Sequence, residues 1–396
     1  MQNNLSVYIH FPFCKSKCPY CDFNSRSESF DEDELEKAYI RELNYFYNKT
    51  RDRKISTIFF GGGTPSLMSS KTIENIISHV VKLWGIIENK VTKDIEISIE
   101  ANPTSVEMQK IKDFKSAGIN RLSLGIQSLV EKDLKILGRK HSVCEAKKAI
   151  EIAQKNFGKN YSIDLIYTRP NQKISDWIIE LEEAIKLSPY HVSLYQLTLE
   201  EGTKFHSMYE EGKLNLPNDD VSTEFYKETN RFMQANNFPQ YEISNYAKPG
   251  SECQHNLNYW QSGEYIGIGA GAHSRVCIGN IINNNYKVRT AIEMEKNPKD
   301  WIKLVNERDI GFSEVEMLKK SEFLEEFLLM GLRLNKGIGN YEFSNYITED
   351  LFRIINKNKL QKCIKNGLIS IDKKNSSIKA TRKGFLLLNT TLQKLL

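Results

Sequence analysis

Two periodicities alternate along the first half of the chain. Short runs rich in β-branched and aromatic residues, at 6–10, 56–60, 95–99, 121–125, 162–166 and 191–196, predict strands. Between them, at 31–48, 71–84, 105–117, 143–156 and 174–187, apolar residues recur at three- and four-residue intervals. Leu35, Ala38, Tyr39 and Leu43 are one such stripe, and the pattern predicts amphipathic helices. Strands separated by helices pair in parallel through right-handed crossovers. Six such units make a partial or complete barrel, or else a doubly wound sheet. Polar or glycine residues follow several strands directly: Cys14 and its neighbours, Gly61-Gly62-Gly63-Thr64, Glu100 and Gln127, with Asp164 inside its strand. Barrels of the TIM type build their sites at the carboxyl ends of strands, so the expectation is an α/β fold with a partial (β/α)6 barrel.

After Gln196 the pattern loosens. A helical stretch at 221–236 leads to a segment at 253–274 rich in aromatic residues and glycine. Helical patterns follow at 316–332, 349–356 and 359–366, then short β runs at 368–371 and 377–380, and a last helix from Lys383. Helices followed by a small hairpin predict a winged-helix-like domain. The expected division is a barrel over 1–235, an extension of it over 236–310 and a C-terminal domain over 311–396.

Composition narrows the class. A chain of 396 residues with 40% hydrophobic and 27% charged positions has material for a large core, which excludes wholesale disorder. No apolar run approaches the ~20 residues of a membrane span. The stretch from Met1 to Phe13 has no basic leader or small-residue cleavage site. Seven cysteines, three of them between positions 14 and 21, do not read as a secreted disulfide scaffold. A reducing cytoplasm is expected. The net charge of +5 hides an asymmetry: residues 351–396 carry eleven Lys or Arg and one acid, Asp372. A basic end of this kind is a solvated surface or meets an acidic partner, anionic lipid or nucleic acid.

Cys14-Lys15-Ser16-Lys17-Cys18-Pro19-Tyr20-Cys21 is the strongest chemical signal. Its C-x3-C-x2-C spacing, in a loop directly after a strand, lets three thiolates converge on one centre. Three thiolates suit three irons of a [4Fe–4S] cube and leave the fourth iron open. Structural zinc is the alternative; it wants four ligands, and His10 would have to supply the fourth.

The spacing resembles the signature of the radical S-adenosylmethionine (SAM) superfamily. The longer string Ser6-Val7-Tyr8-Ile9-His10-Phe11-Pro12-Phe13-Cys14, with Gly61-Gly62-Gly63-Thr64-Pro65-Ser66, is similar to the oxygen-independent coproporphyrinogen III oxidases and their sister group, the heme chaperones of the HemW type. The resemblance implies a [4Fe–4S] cluster on Cys14, Cys18 and Cys21, with S-adenosylmethionine chelating the open iron. It implies a cofactor site lined by Tyr8, Tyr20, Gly62, Gly63, Thr64, Glu100, Gln127, Arg139 and Asp164. Arg139 is expected to pair with a carboxylate in forked geometry.

Two departures separate oxidase from chaperone. The oxidases carry a long N-terminal arm where this chain has 1–5, and another cysteine two residues past the third cluster ligand, where this chain has Cys21-Asp22-Phe23. Further on, Cys253-Gln254-His255-Asn256-Leu257-Asn258-Tyr259-Trp260 resembles the H-N-x-x-Y motif of the heme chaperones. From spacing alone His255 reads as a core histidine with satisfied hydrogen bonds; the resemblance implies an axial heme ligand. His273, in a glycine-rich loop that does not fit a nucleotide-binding pattern, is a second candidate for porphyrin contact. The expected function is therefore to bind heme and pass it to acceptor heme proteins, including membrane-bound respiratory enzymes met at the inner membrane face, with a homodimer compatible with the fold. Anaerobic decarboxylation of coproporphyrinogen III is the alternative. A nucleic-acid-modifying radical enzyme is third, because no basic groove interleaved with aromatics is present, and no nucleic acid is expected as partner.

Overall fold

The computed structural model describes residues 4–85, 95–187, 189–279, 281–283 and 285–396. Six strands follow one another with helices between: β1 (Asn4–Phe11), β2 (Lys54–Gly62), β3 (Glu96–Ala101), β4 (Arg121–Gln127), β5 (Tyr161–Tyr167) and β6 (His191–Gln196). Each pairs in parallel with the next. The spatial order runs β1 to β6 without reversal. A doubly wound sheet needs a reversal, so the observed order is that of a barrel wall.

Alternation along the strands explains both layers. Leu5, Val7, Ile9 and Phe11 of β1 are fully or almost fully buried and share one core with Leu35, Tyr39 and Leu43 of helix α1 (Glu32–Thr50). Each such apolar side chain contributes about 1.5–3 kcal/mol by leaving water. The intervening positions face the barrel interior, and they are mostly polar: Ser6, Tyr8 and His10 on β1, Glu96, Ser98 and Glu100 on β3, Ser162 and Asp164 on β5. Helix α1 starts where Asp31 accepts the Glu34 N–H. Helix α2 (Ser70–Leu83) starts at Ser69. The next predicted helix, 105–117, is two: α3 (Ser105–Gln109) and α4 (Ile111–Ser116). They break at Lys110, whose ammonium reaches the carbonyls of Ser66, Leu67 and Met68 at 3.4, 3.2 and 3.4 Å. Helices α5 (Glu131–Ile136), α6 (Val143–Phe157), α7 (Ile174–Lys186), α8 (Lys204–Glu210) and α9 (Asp219–Ala235) complete this half.

The second half widens the sheet on both sides. Short strands β7 (Gln240–Glu242) and β8 (Asn245–Ala247) add antiparallel to β6. Helix α10 (Gln254–Trp260) precedes β9 (Glu264–Ile268), which pairs in parallel with β1 and gives the wall a seventh parallel strand. β10 (His273–Val276) follows, then a small hairpin of β11 (Ile282–Asn283) and β12 (Tyr286–Lys287), and β13 (Thr290–Met294), helix α11 (Pro298–Arg308) and β14 (Phe312–Met317). The helix expected from 316 corrects to a start at Lys320. Residues 312–317 zip onto β13 as an edge strand instead.

A single carboxylate ties this extension to the barrel. Glu42 on α1, fully buried, accepts from the N–H groups of Gly269 (2.8 Å) and Gly311 (2.9 Å) and from Trp301 Nε1 (2.9 Å). The C-terminal part has its own core, around Phe323, Phe327, Phe343, Ile378 and Leu392, which also recruits Cys277, Tyr286 and Val288. It consists of α12 (Lys320–Gly331), β15 (Ile338–Gly339), α13 (Asn340–Phe343), α14 (Leu351–Ile354), α15 (Lys357–Lys365), the β16 (Ile369–Asp372) and β17 (Ser377–Ala380) hairpin, α16 (Arg382–Leu386) and α17 (Leu388–Leu395). A three-stranded sheet β15-β17-β16 against helices is the winged-helix-like arrangement. No described helix is long and apolar enough to cross a membrane.

Candidate functional site: a cysteine-lined cavity at the strand ends

The loop after β1 is braced on both sides. Cys14 N–H donates to the Arg26 carbonyl (2.9 Å) and Arg26 N–H to that of Pro12 (2.9 Å), while Gly63 and Thr64 N–H groups donate to Phe11 and Phe13 (2.7 and 2.8 Å). A Cβ on Gly63 would meet the Phe13 carbonyl oxygen at 2.5 Å, so only glycine lets the two loops lie this close. Gly62 adopts φ +108° and turns its N–H onto Glu100 Oε2 at 3.2 Å.

Cys14, Cys18 and Cys21 are free, partly exposed and open onto one cavity of about 410 Å³. The same cavity is lined by Tyr20, Gly62, Gly63, Thr64, Glu100, Gln127, Arg139 and Asp164. Ten strand-end and loop positions spread over more than 150 residues thus share one wall with the third cysteine. Tyr8 lies just outside. Its hydroxyl donates to His10 Nδ1 (3.1 Å), because His10 Nε2–H is given to the Asn24 carbonyl (2.9 Å), and Tyr8 lines an adjoining cavity of about 600 Å³. Tyr20 packs on Phe205.

Among the described residues no group of three His, Cys, Asp or Glu side chains is closed around a single-ion position. Three thiols spaced around a cavity fit the separate irons of a cube better than one zinc. Burial pushes the thiols of Cys14 and Cys21 up; for Cys14 the Thr64 hydroxyl, 3.4 Å from Sγ, acts against this. The cavity wall also holds three buried polar atoms without a hydrogen-bond partner: Gln127 Oε1, Arg139 Nε and Asp164 Oδ1. Gln127 is held at φ +66°, an uncommon conformation for a non-glycine residue. Unpaired buried polar atoms cost about 1–3 kcal/mol each, and a polar ligand with hydroxyl, amino and carboxylate groups would satisfy them. Glu100 is pushed up to about 8 by burial and by the neighbouring Asp164, against the Gly62 N–H. Burial likewise lifts Asp164 to about 6.

Arg139 differs from the expected fork. Its Nη2 donates to the Gly125 carbonyl (2.8 Å) and to Asn102 Oδ1, and Nη1 reaches Cys18 Sγ at 3.5 Å. Its buried Nε has no protein partner and is open to a ligand. Asn102 is the residue the sequence reading passed over: it also donates to Thr64 Oγ1 (3.2 Å), linking the glycine loop to Arg139. The signal available was its position two residues after Glu100. His141, assigned nothing from the sequence, also lines the cavity and donates its Nε2–H to the Ile126 carbonyl at 3.1 Å.

His255 is elsewhere, near the amino ends of the strands. Five residues of β2 separate its partner Thr57 from Gly62, roughly 16 Å of extended chain. The ring is 1% exposed and stacks on Phe59 at 4.9 Å. Thr57 donates its hydroxyl to Ser6 (2.8 Å), so it accepts from His255 Nδ1–H at 2.6 Å. Nε2 then accepts from the Tyr259 hydroxyl at 2.9 Å. Burial lowers the imidazole to about 3, keeping it neutral. Glu96 fixes the helix that carries it, accepting from the N–H groups of Gln254 (3.1 Å) and His255 (3.0 Å). At the same end of the barrel, Ser98 Oγ, Arg121 Nη2 and His191 Nδ1 have no protein partner, and buried water suits them.

A parallel partial barrel with three cysteines in the loop after its first strand is the radical SAM architecture. The family model "Radical SAM superfamily" matches residues 8–184, and "HemN C-terminal domain" matches 318–387. The solved coproporphyrinogen III oxidase (HemN) of Escherichia coli superposes over 100% of this chain and 90% of its own, with a TM-score of 0.77 at 21% identity, which establishes the fold. "Heme chaperone HemW" of Haemophilus influenzae is 37% identical over 86% of each chain. "Heme chaperone HemW" of Escherichia coli is 36% identical over 88% of each. "Radical S-adenosyl methionine domain-containing protein 1, mitochondrial" of Danio rerio is 38% identical over 87% of this chain and 76% of its own. The chain belongs to this HemW-type family of the radical SAM superfamily.

Proposed function

We propose that this protein is a heme chaperone: it binds heme and hands it to acceptor heme proteins, and it carries a [4Fe–4S] cluster with S-adenosylmethionine. The observation that supports the cofactor half is the single cavity onto which three free cysteines and three unpartnered polar atoms open. Cys14, Cys18 and Cys21 would hold the cluster, and a cluster of this type supplies one iron open to an external chelating ligand. The chain's own part is to present that ligand. Gly62 and Gly63 leave room for it, and Gln127, Arg139 and Asp164 offer it hydrogen bonds. Glu100 accepts from its donors, while Tyr20 and Thr64 shape the walls and Tyr8 borders the site from the adjoining cavity. The heme half is supported by the similarity, across most of both chains, to proteins named heme chaperones.

His255 as iron ligand belongs to this reading only if Tyr259 releases Nε2. The basic C-terminal region is the proposed face for an acidic acceptor, or for an acceptor at the inner membrane face. Anaerobic, cluster-loaded protein should bind hemin saturably and transfer it to an apo heme protein, and replacing lysines within 357–383 should slow transfer while leaving hemin affinity intact. The reading fails if the protein instead consumes S-adenosylmethionine while releasing carbon dioxide from coproporphyrinogen III, with no hemin bound.

A further inference from the structure

Iron in heme takes a neutral imidazole nitrogen whose lone pair is available. His255 does not offer one: both ring nitrogens are engaged, and the ring is sealed from solvent. The opposite holds for His273. Its side chain is 44% exposed, its Nε2 has no hydrogen-bond partner among the described residues, and it lines the cavity of about 600 Å³ beside the cysteine cavity. The two cavities share Lys17, Asp22, Phe23, Ser25, Gly62 and Glu100 as wall. A volume of this size is within the range of pockets that enclose organic cofactors.

Three further features suit an iron porphyrin. His273 and Glu293 are partners across the β10–β13 pair, and Glu293 Oε1 stands 3.5 Å from His273 Nδ1. A carboxylate behind Nδ1 orients the ring, directs the proton to Nδ1 and makes Nε2 a stronger donor to metal. Phe23, 58% exposed, lies on the rim and offers an apolar face to a flat macrocycle. Lys17, Arg26 and Lys296 line the same cavity beside the carboxyls of Asp22 and Glu100; Lys17 donates to the Phe23 carbonyl (3.2 Å) and Arg26 pairs with Glu28 (3.6 Å), which leaves Lys296 as the cation to match a heme carboxylate. The Lys296 ammonium has no partner among the described residues. Backbone bracing holds the site in place: Asn24 Nδ2 bonds the carbonyls of Ala270 and Lys296, both at 3.0 Å.

We infer that heme docks in the mouth of the barrel with His273 Nε2 as its axial iron ligand, and that His255 is a scaffold residue beneath it. This rests on the chaperone reading. The test is a hemin titration of cluster-loaded full-length protein, followed by Soret absorbance and electron paramagnetic resonance, with wild type, His273→Ala and His255→Gln. Glutamine can keep hydrogen bonds to Thr57 and Tyr259, and circular dichroism checks that each variant is folded. His273→Ala is expected to shift the Soret band, to lose the low-spin imidazole signal and to bind about tenfold more weakly, with free imidazole restoring the spectrum. His255→Gln should keep the wild-type spectrum. A wild-type spectrum in His273→Ala, or loss of the signal in folded His255→Gln, overturns the assignment and leaves the chaperone reading standing. Absence of saturable hemin binding in wild type overturns the reading itself.

Discussion

The two ends of the barrel interior differ in how their polar atoms are spent. At the carboxyl ends, Gln127, Arg139 and Asp164 each leave a buried polar atom without a partner on a cavity wall. Around His255, near the amino ends, Thr57, Tyr259 and Glu96 take up the imidazole and the backbone of its helix completely. Both regions are rich in the residue types that bind cofactors. At the imidazole itself neither nitrogen has a bond left to make, while Trp260 Nε1 on the same helix and Arg121 Nη2 beside Glu96 still lack protein partners. Evolution of a binding site requires an unsatisfied set that a ligand completes, whereas a satisfied set stabilises the chain that bears it.

The largest expected effect tests the open end. Changing Cys14, Cys18 or Cys21 to Ser should abolish bound iron and sulfide after anaerobic reconstitution, while Cys144→Ser, on an exposed helical position, should leave them at wild-type levels. Retention of a full cluster in any of the three would break the comparison at its stronger side.

Next comes the closed end. His255→Ala removes a buried ring and strands the Thr57 and Tyr259 hydroxyls, so a loss of about 2–4 kcal/mol in denaturant unfolding is expected. An unchanged unfolding midpoint would mean that the ring is not structural and would reopen its role as ligand.

The smallest effect is a pH dependence. Glu100, raised from 4.5 to about 8, holds a proton in the folded chain that the unfolded chain has released. Stability therefore falls as pH rises through that window, and the penalty is complete above about pH 8. In protein without S-adenosylmethionine, Glu100→Gln should melt level with wild type near pH 5 and roughly 2 °C higher near pH 8.5. A difference independent of pH would show that desolvation of this carboxylate is not what sets the cavity's energetics.

Much of this was legible in one dimension. Period-two alternation in β1 separates Leu5, Val7 and Ile9 from Ser6, Tyr8 and His10, because successive side chains of a strand point to opposite faces. That suffices to predict a parallel wall with an apolar outside. Cysteines four and three positions apart after the first strand predict a cluster loop, since so short a segment keeps its thiols together wherever it folds. The split at Lys110 and the strand at 312–317 were not legible, since each depends on a distant neighbour: the carbonyls after Thr64 in one case, β13 in the other.

Histidine roles fell on the far side of the same divide. His255 and His273 look alike as letters in an aromatic, glycine-rich stretch; spacing alone reads the first as a satisfied core histidine, and the resemblance favoured it as ligand. Folding buried one between Thr57, Phe59 and Tyr259 and set the other at a cavity mouth opposite Glu293. Sequence determines local periodicity and the chemistry available within a few residues. Which nitrogen of His255 carries the proton depends on Thr57, some 200 positions away, and only the packed chain brings that partner into reach and turns Tyr259 onto the other nitrogen.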